Sequence, residues 1–214
     1  MTKFKVVFLL DKSNDWLGKY LKLRKIFPNN KKFQYKISYN PNTIKNQDVV
    51  FVLSYTKILK ESFLKRNKLT LVVHESNLPK NKGFAPVQWQ ILEGKNRIPI
   101  NLIKAEKHVD SGVIYEKDYF QLNGDELYDE IRKKQALAKF KIIKKFLNKF
   151  PKNKAIPQRG SSNYNRKRMS FDSRLNLNKK LIEQFNLLRI ANNDDWPSFF
   201  YHKNNKYIIK IYKK

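Results

Sequence analysis

The chain has 214 residues, of which 41% are apolar and 14% aromatic, so it is long enough to bury one sizeable hydrophobic core. No apolar run approaches the ~18 residues that span a bilayer, and the amino terminus lacks the apolar segment of a secretory signal. We therefore predict a soluble, cytoplasmic protein with no membrane partner. Cysteine is absent and the three histidines are scattered, so disulfides are excluded and no metal site is expected.

The formal net charge of +28 at pH 7 predicts attraction to polyanions, including nucleic acid at low salt. The positive residues are mostly lysines that lie along the whole chain among many asparagines. They form no arginine-rich tract and no nucleic-acid-binding signature. This composition favours a general Lys/Asn bias over the alternative, a dedicated nucleic-acid surface, and we predict no specific nucleic-acid partner.

Strand and helix patterns alternate along the first third of the chain. Strands are predicted at residues 4–10, 33–39, 49–53 and 69–74, and helices at 16–26 and 58–64. Three βα units in a row predict a mostly parallel sheet that is covered on both faces. No Gly-x-Gly-x-x-Gly follows the first strand, which argues against a dinucleotide held at that turn.

The middle of the chain continues this α/β pattern. A helix is predicted at 85–93, and two strands at 98–105 and 113–120 flank a turn at Asp110. Asn123 and Glu126 have the spacing of a capping box before a long helix that ends at Pro151. We therefore predict a main domain of residues 1–151.

Residues 152–174 are rich in Pro, Gly, Ser, Asn and Arg and predict either a linker or a compact arm over the domain. A predicted helix at 178–190 and a hairpin around Asn204-Asn205 follow, which favours the arm. The second predicted unit is therefore residues 152–214, comprising the arm, the helix and the hairpin.

The stretch from Val72 to Gly112 contains the residues that we expect to carry chemistry. It reads VVHESNLP at 72–79, KGFAPVQW at 82–89 and VDSG at 109–112. A histidine at the end of an apolar strand and an aspartate in a later turn predict a base and a carboxylate at the carboxyl ends of neighbouring strands.

These motifs, in this order and spacing, resemble the 10-formyltetrahydrofolate-dependent formyltransferase family. That family carries an Asn-x-His-x-Ser-Leu-Leu-Pro loop, an Arg-Gly and Ala-Pro-Ile-Gln pattern and an Asp-Thr-Gly turn. The resemblance covers residues 49–120, and EQFNLLR at 183–189 with WPSFF at 196–200 resembles the closing segment of the sugar-modifying members. It implies an α/β fold with a Rossmann-like, mostly parallel sheet of the formyltransferase type and a small carboxyl-terminal helix and β-hairpin extension.

The resemblance implies an enzyme, a sugar N-formyltransferase that uses 10-formyltetrahydrofolate as co-substrate and no metal. The implied acceptor is a nucleotide-linked amino deoxy sugar, UDP-4-amino-4,6-dideoxy-N-acetylhexosamine of altrose type, in a pseudaminic-acid-type pathway of surface glycan biosynthesis. Folate and the UDP-linked sugar are thus the expected partners, and a homodimer is compatible with this prediction.

Two other interpretations stay open. A methionyl-tRNA formyltransferase suits the positive charge, but those relatives append an RNA-contacting barrel longer than the segment after Pro151. A catalytically damaged binding protein is the third interpretation, because the family's asparagine two residues before the histidine is replaced by Val72.

The resemblance assigns catalysis to His74 and Asp110. A sugar amine that attacks a formyl carbon must lose a proton, and the oxyanion that develops needs a hydrogen-bond donor. His74 is suited to take the proton, and Asp110 to orient the imidazole or stabilise its charge. Val72 can donate nothing, so Asn101, on the strand that enters the Asp110 turn, is the candidate oxyanion donor. A protonated His74 and the backbone amides of the loop are the alternatives.

The two substrate sites are assigned more broadly. The resemblance implies a folate cleft formed by Leu53, Ser54, Tyr55, Lys57, Ile58 and Val109. Arginine forks suit phosphate oxygens, and the candidate acceptor residues include three of them. These acceptor candidates are Ser76, Lys80, Lys82, Gly83, Tyr164, Arg166, Arg168, Arg189 and Trp196.

Overall fold

The structure is a computed structural model, and it describes residues 2–214. The strands are β1 (Phe4–Leu10), β2 (Phe33–Ser38), β3 (Val49–Leu53), β4 (Thr70–His74), β5 (Lys82–Gly83), β6 (Arg97–Lys104), β7 (Ile114–Gln121), β8 (Tyr164–Asn165), β9 (Ser198–His202) and β10 (Asn205–Ile209). The helices are α1 (Leu23–Ile26), α2 (Glu61–Lys65), α3 (Pro86–Leu92), α4 (Tyr128–Lys149) and α5 (Phe185–Arg189). Across residues 2–214, none of the helices is both long and apolar enough to cross a bilayer.

The central sheet has six strands in the order β2-β1-β3-β4-β6-β7. β1 to β4 pair in parallel, whereas β6 is antiparallel to β4 and β7 is antiparallel to β6. This topology confirms the predicted α/β fold with a mostly parallel sheet. The strands predicted at 4–10 and 49–53 are confirmed at both ends, and the other strands of the sheet are shifted by at most one residue at either end.

Both faces of the sheet are buried, because alternate residues of β1 pack into different clusters. Phe8 lies on one face with Phe51 and Phe146 of α4, and Val7 lies on the other with Phe63 of α2. Continuous apolar runs are what strands covered on both sides require. The helix that was predicted to end at Pro151 is α4, and it supplies most of the cover of the first face.

Three predicted helices are shorter than their apolar spacing indicated. Residues 16–20 form turns before α1, residues 58–60 precede α2, and residues 178–190 contain a 3₁₀ turn at Ile182–Gln184 followed by α5. Side-chain oxygens accept hydrogen bonds from backbone amides near two of these segments. Before α1, Asp15 accepts from the amide of Gly18 at 2.8 Å, and before α5, Gln184 accepts from the amide of Asn176 at 2.7 Å. Such bonds compete with helix formation, although the apolar side chains Leu17 and Leu21 are buried as expected.

The predicted capping box at Asn123 and Glu126 is wrong. Helix α4 begins at Tyr128, and Glu130 accepts from the amide of Leu127 at 2.9 Å. Glu126 instead closes the preceding turn, where it accepts from the amides of Asn123 at 2.7 Å and Gly124 at 3.0 Å. Its carboxylate is buried and also contacts Lys134 and Arg189, so it joins the start of α4 to the carboxyl-terminal region.

The segment that follows α4 lies on the main sheet domain. Ile156 forms an antiparallel bridge with Ile114 at the start of β7, and β8 pairs in parallel with β5. Farther on, β9 and β10 form the predicted hairpin, with Lys203 and Asn204 at positive φ in the turn. These contacts favour the arm over the linker interpretation.

We predict that Glu126→Gln lowers the free energy of unfolding at pH 7 by ~2–3 kcal/mol. Burial alone would raise the pKa of Glu126, but hydrogen bonds from Lys134 and from backbone amides lower it from 4.5 to about 2. A depressed carboxyl pKa stabilises the fold above pH 4.5, and that stabilisation is lost as the pH falls toward 2. The difference between wild type and variant in urea unfolding should therefore shrink between pH 4.5 and 3.

The matched control is Asp129→Asn, because Asp129 lies on the first turn of the same helix but is 77% exposed in its side chain. Its exposed ion pair with Lys19 should contribute less than ~1 kcal/mol. A difference for Glu126→Gln that stays constant from pH 7 to pH 3 would contradict the pKa shift as its cause.

Candidate active site

His74, the last residue of β4, contacts hydrogen-bond acceptors through both ring nitrogens. Its Nδ1 lies 3.4 Å from Oδ2 of Asp110, and its Nε2 lies 2.9 Å from the carbonyl oxygen of Asn81. His74 is buried, as is the side chain of Asp110. A carbonyl oxygen only accepts, so Nε2 of His74 donates to Asn81 and Nδ1 faces the Asp110 carboxylate. The structure thus brings together the predicted base and carboxylate.

Asp110 reaches His74 by a different route from the one predicted. Because β6 is antiparallel to β4, its carboxyl end at Lys104 lies beside Leu71, at the amino end of β4. Residues 105–113 return from there toward His74, so the pair does not form where two parallel strands end. Asp110 has φ 53°, and its Oδ2 also accepts from the amide of Gly83 at 2.9 Å.

Two glycines allow these loops to approach each other. A Cβ on Gly112 would lie 1.8 Å from the carbonyl oxygen of Lys104, so the Asp110 loop closes only with glycine there. Gly83 has φ 88°, and a Cβ there would lie 2.6 Å from the carbonyl oxygen of Asn165. The Gly in each motif is therefore required by backbone contact.

The oxyanion donor expected at Asn101 is not available in this structure. Asn101 pairs with His74 across β4 and β6 and is buried, but its Nδ2 donates to the carbonyl oxygen of Ser76. Its Oδ1 has no hydrogen-bond partner in the part of the chain that the structure describes. Asn101 therefore has a buried acceptor oxygen that is unpaired within residues 2–214, and its donor is already used. Val72 packs against Leu78 in a small apolar cluster and offers no polar group.

Comparison with known proteins identifies the family. Residues 6–147, more than half of the chain, match the family described as formyl transferase. The chain belongs to the formyl transferase family. The matched range contains all of the six-stranded sheet beyond Lys5, His74, Asp110 and nearly all of α4.

Two curated relatives have different printed activities. The chain is 30% identical over 166 residues to the bifunctional polymyxin resistance protein ArnA of Wigglesworthia glossinidia brevipalpis, covering 76% of this chain and 25% of that protein. It is 26% identical over 194 residues to a methionyl-tRNA formyltransferase of Rickettsia massiliae, covering 84% of this chain and 63% of that enzyme. The chain therefore spans less than two thirds of the length of these relatives.

Solved structures show the same fold over nearly the whole chain. A methionyl-tRNA formyltransferase from Clostridium thermocellum is similar with a TM-score of 0.80 at 19% identity, covering 95% of this chain and 90% of that chain. A 4-N formyltransferase from Francisella tularensis is similar with a TM-score of 0.71 at 18% identity, covering 97% of both chains. At these identities the likeness establishes the fold alone.

The folate-cleft residues predicted from the formyl transferase family lie at the end of β3 and in the Asp110 loop. Leu53 is fully buried, so only its backbone can face a ligand, whereas Ser54 and Tyr55 are half-buried. The remaining three, Lys57, Ile58 and Val109, are exposed. Ser54 has φ 53°, which turns the chain away from the strand.

Asp11, which the sequence reasoning missed, holds the loop after β3. It accepts from the amides of Thr56 at 3.1 Å and Ser13 at 3.0 Å, so it joins the loops that follow β1 and β3. Burial alone would raise the pKa of Asp11, but hydrogen bonds from Thr56 and Ser13 lower it well below its usual range. An aspartate at the end of a buried strand was the available sequence signal.

The predicted acceptor residues of the loop after β4 lie close to the histidine–aspartate pair. Gly83 contacts Asp110 directly, and Ser76 donates to the carbonyl oxygen of Lys80 at 2.8 Å within the loop. The Lys82 ammonium lies 5.7 Å from the centre of the exposed Tyr164 ring.

The predicted phosphate ligands are engaged within the protein. Arg166 forms a two-pronged pair with the carboxylate of Asp172, and Arg168 donates to the carbonyl oxygen of Asp172 at 3.1 Å. The prediction for Arg189 is wrong, because its side chain is 1% exposed and bonds to Asn96 at 2.7 Å and to Asn186. Trp196 is half exposed.

A buried ion pair lies directly behind the histidine. The carboxylate of Glu75 is 2.5 Å from the ammonium of Lys139, which also donates to the carbonyl oxygen of Val73 at 3.3 Å. Gln135 donates to the same carboxylate, and Gln90 donates to the carbonyl oxygen of Glu75 at 2.7 Å. Burial would raise the pKa of Glu75, but Lys139 lowers it. A lysine within the apolar stripe of α4 was the missed signal.

We predict that Lys139→Met destabilises the protein by ~3–5 kcal/mol, because it leaves the Glu75 carboxylate buried without its counter-charge. The double variant Glu75→Gln with Lys139→Met should recover most of that loss. Urea unfolding of both single variants and the double variant gives the coupling energy.

Lys65→Met is the control, because the side chain of Lys65 is 75% exposed in its pair with Glu61 and an exposed pair contributes little to stability. If Lys139→Met were as stable as this control, the carboxylate would not depend on Lys139.

Proposed function

We propose that the chain is an N-formyltransferase that moves the formyl group of 10-formyltetrahydrofolate to the amine of a nucleotide-linked amino deoxy sugar. The observation that carries this proposal is the buried contact between His74 and Asp110. The transfer of a formyl group to a neutral amine needs proton transfer and positioning, and this pair can supply both beside the loop of residues 75–83.

The reaction needs a proton to move from the amine to the departing tetrahydrofolate nitrogen. The amine nitrogen bonds to the formyl carbon and loses one proton, and the carbon–nitrogen bond to the folate breaks as that nitrogen gains one. The His74–Asp110 pair takes and returns the proton, and the carboxylate stabilises the imidazolium. Because Val72 cannot donate and Asn101 donates to Ser76, we assign the oxyanion to a loop amide, or to His74 after its Nε2 leaves the carbonyl oxygen of Asn81.

The residues after β3 fit a folate. Exposed Ile58 and Val109 offer apolar surface, while the turned backbone at Ser54 and the loop held by Asp11 offer polar main-chain groups. A pterin needs this combination of an apolar wall with a few fixed donors and acceptors. We therefore assign the formyl donor to this side of the His74–Asp110 pair.

The acceptor belongs on the other side, at the contact between β5 and β8. Lys82 supplies positive charge beside the exposed aromatic ring of Tyr164, and Phe84 is also exposed there. A ring face suits a base or a sugar, and an ammonium suits a phosphate. The Francisella 4-N formyltransferase, which is similar over 97% of both chains, supports N-formylation as the reaction, with the arm inside the shared fold.

The finer acceptor identity follows from the sequence motifs. We propose a UDP-linked 4-amino-4,6-dideoxy hexose of altrose type, on the way to a pseudaminic-acid-type surface glycan. The arm of residues 152–214 contributes the Tyr164 wall, while Arg166 could reach a phosphate only by leaving Asp172.

A methionyl-tRNA acceptor is the second candidate. The net charge of +28 suits a polyanionic acceptor, and the Clostridium thermocellum structure has a TM-score of 0.80. The two candidates share the formyl donor and the histidine–aspartate pair, so they differ only in the acceptor.

We predict that His74→Asn and Asp110→Asn each lower the turnover number by ~10² or more while the protein stays folded. The assay follows tetrahydrofolate release with a panel of UDP- and TDP-linked amino sugars. His202→Asn is the control, because His202 is an exposed histidine of the hairpin. Full turnover in either site variant would remove that residue from the mechanism.

We predict that initiator tRNA binds no more tightly than other RNA and dissociates near ~0.2 M salt, because dispersed lysines give non-specific attraction. Fluorescence anisotropy with labelled initiator tRNA and a matched elongator tRNA measures this. A complex selective for the initiator at that salt, with formyl transfer to its methionine, would instead establish the second candidate.

A further inference from the structure

One segment of the arm contacts both catalytic loops. We call residues 156–165 the clasp. It begins where Ile156 bridges Ile114, with amide-to-carbonyl distances of 2.8 and 2.9 Å in the two directions. It ends where β8 pairs with β5, and the amide of Phe84 donates to the carbonyl oxygen of Asn165 at 3.1 Å. The clasp is therefore anchored on either side of the His74–Asp110 contact.

Gln158 of the clasp holds the Asp110 turn. Its Nε2 donates to the carbonyl oxygens of Asp110 and Gly112, both at 2.8 Å. Asp110 has φ 53°, a left-handed conformation that costs a non-glycine residue free energy. A single amide group that binds carbonyls on both sides of Ser111 offsets that cost and limits where the Asp110 carboxylate can lie.

Asn163 of the clasp holds the loop that faces the imidazole. Its Oδ1 accepts from the amide of Asn81 at 2.8 Å, and its Nδ2 donates to Oδ1 of Asn81 at 3.3 Å. Its carbonyl oxygen accepts from the amide of Lys82 at 3.0 Å. The carbonyl oxygen of Asn81 is the acceptor for Nε2 of His74. Asn163 is thus connected to the imidazole of His74 through one residue, Asn81.

We propose that Gln158 and Asn163 are positioning residues for catalysis, Gln158 acting through the backbone of the Asp110 turn and Asn163 through the carbonyl of Asn81. This inference rests on the proposed formyl transfer, and it gives the arm a role in aligning the base and the carboxylate. Neither side chain touches the two ring nitrogens. A misplacement of ~1 Å at reacting groups costs up to ~10²-fold in rate, so loss of either contact should affect turnover more than binding.

The test compares variants that differ in one hydrogen-bonding group. Asn163→Asp keeps the acceptor for the Asn81 amide and loses only the 3.3 Å donation to Oδ1 of Asn81, whose side-chain amide can turn and donate instead. Asn163→Leu has similar size and no acceptor. Gln158→Glu replaces the donor with a carboxylate facing two carbonyl oxygens. Ser162→Ala is the matched control, because Ser162 is an exposed residue of the clasp with no side-chain hydrogen bond among residues 2–214.

Asn163→Leu and Gln158→Glu should lower kcat ~10-fold or more, with KM for both substrates within ~3-fold of wild type. Asn163→Asp and Ser162→Ala should retain most of the turnover. Circular dichroism establishes that each variant is folded. Wild-type kcat in folded Asn163→Leu and Gln158→Glu would overturn the proposal, as would a loss confined to KM.

A second readout is independent of activity. The ¹⁵N shifts of the three histidines report the protonation of each ring nitrogen, and the His74→Asn spectrum assigns the signal of His74. The His74 shifts should change in Asn163→Leu and stay as in wild type in Asn163→Asp and Ser162→Ala. Unchanged His74 shifts in Asn163→Leu would overturn the role of Asn163 even if no acceptor sugar were found. If the wild-type protein were inactive but the His74 shifts still changed in Asn163→Leu, the result would count only against the proposed function.

Discussion

The contact between Nδ1 of His74 and Oδ2 of Asp110 joins two segments that the sheet itself holds apart. The antiparallel pairing of β6 with β4 carries the chain away from His74 before the loop returns. Three features allow the loop to return to His74: glycine at position 112, a left-handed backbone at Asp110, and the amide of Gly83, which donates to the Asp110 carboxylate. A site of this kind depends on loop closure, and the sheet supplies only the fixed position of the histidine.

Although the chain has a large net positive charge, three buried carboxylates connect different segments of the fold. Asp11 joins the loops after β1 and β3, Glu75 joins β4 to α4, and Glu126 joins α4 to the carboxyl-terminal region. Each carboxylate is kept ionised by donors that outweigh burial. Glu75 and Glu126 have basic partners in Lys139, Lys134 and Arg189, whereas Asp11 is held by the neutral donors of Thr56 and Ser13.

In the carboxyl-terminal segment, two arginines that the sequence suggested as phosphate ligands bind protein groups instead. Arg189 looked like a phosphate ligand, but its guanidinium lies in the core against Glu126 and Asn96. Arg166 is held by Asp172 of the arm itself. From this segment, the side-chain amides of Gln158 and Asn163 reach the loops around His74 and Asp110. Both are uncharged, so the residue types alone gave no sign of this role. Of the predicted acceptor residues, Gly83 and Tyr164 lie at the β5–β8 contact, and the amide of Gly83 donates to the Asp110 carboxylate.

The sequence by itself determined the α/β fold class, the six sheet strands along the chain with bounds within one residue, the long helix α4, and His74 and Asp110 as the candidate base and carboxylate. Those features follow from apolar periodicity and from motifs whose residues are close in sequence. Only the tertiary structure decided that α4 starts after Glu126, that Asn101 donates to Ser76, and that Arg189 is buried. In each case a polar side chain had more than one possible partner, and the partner was chosen by segments distant in sequence that packing brings into contact.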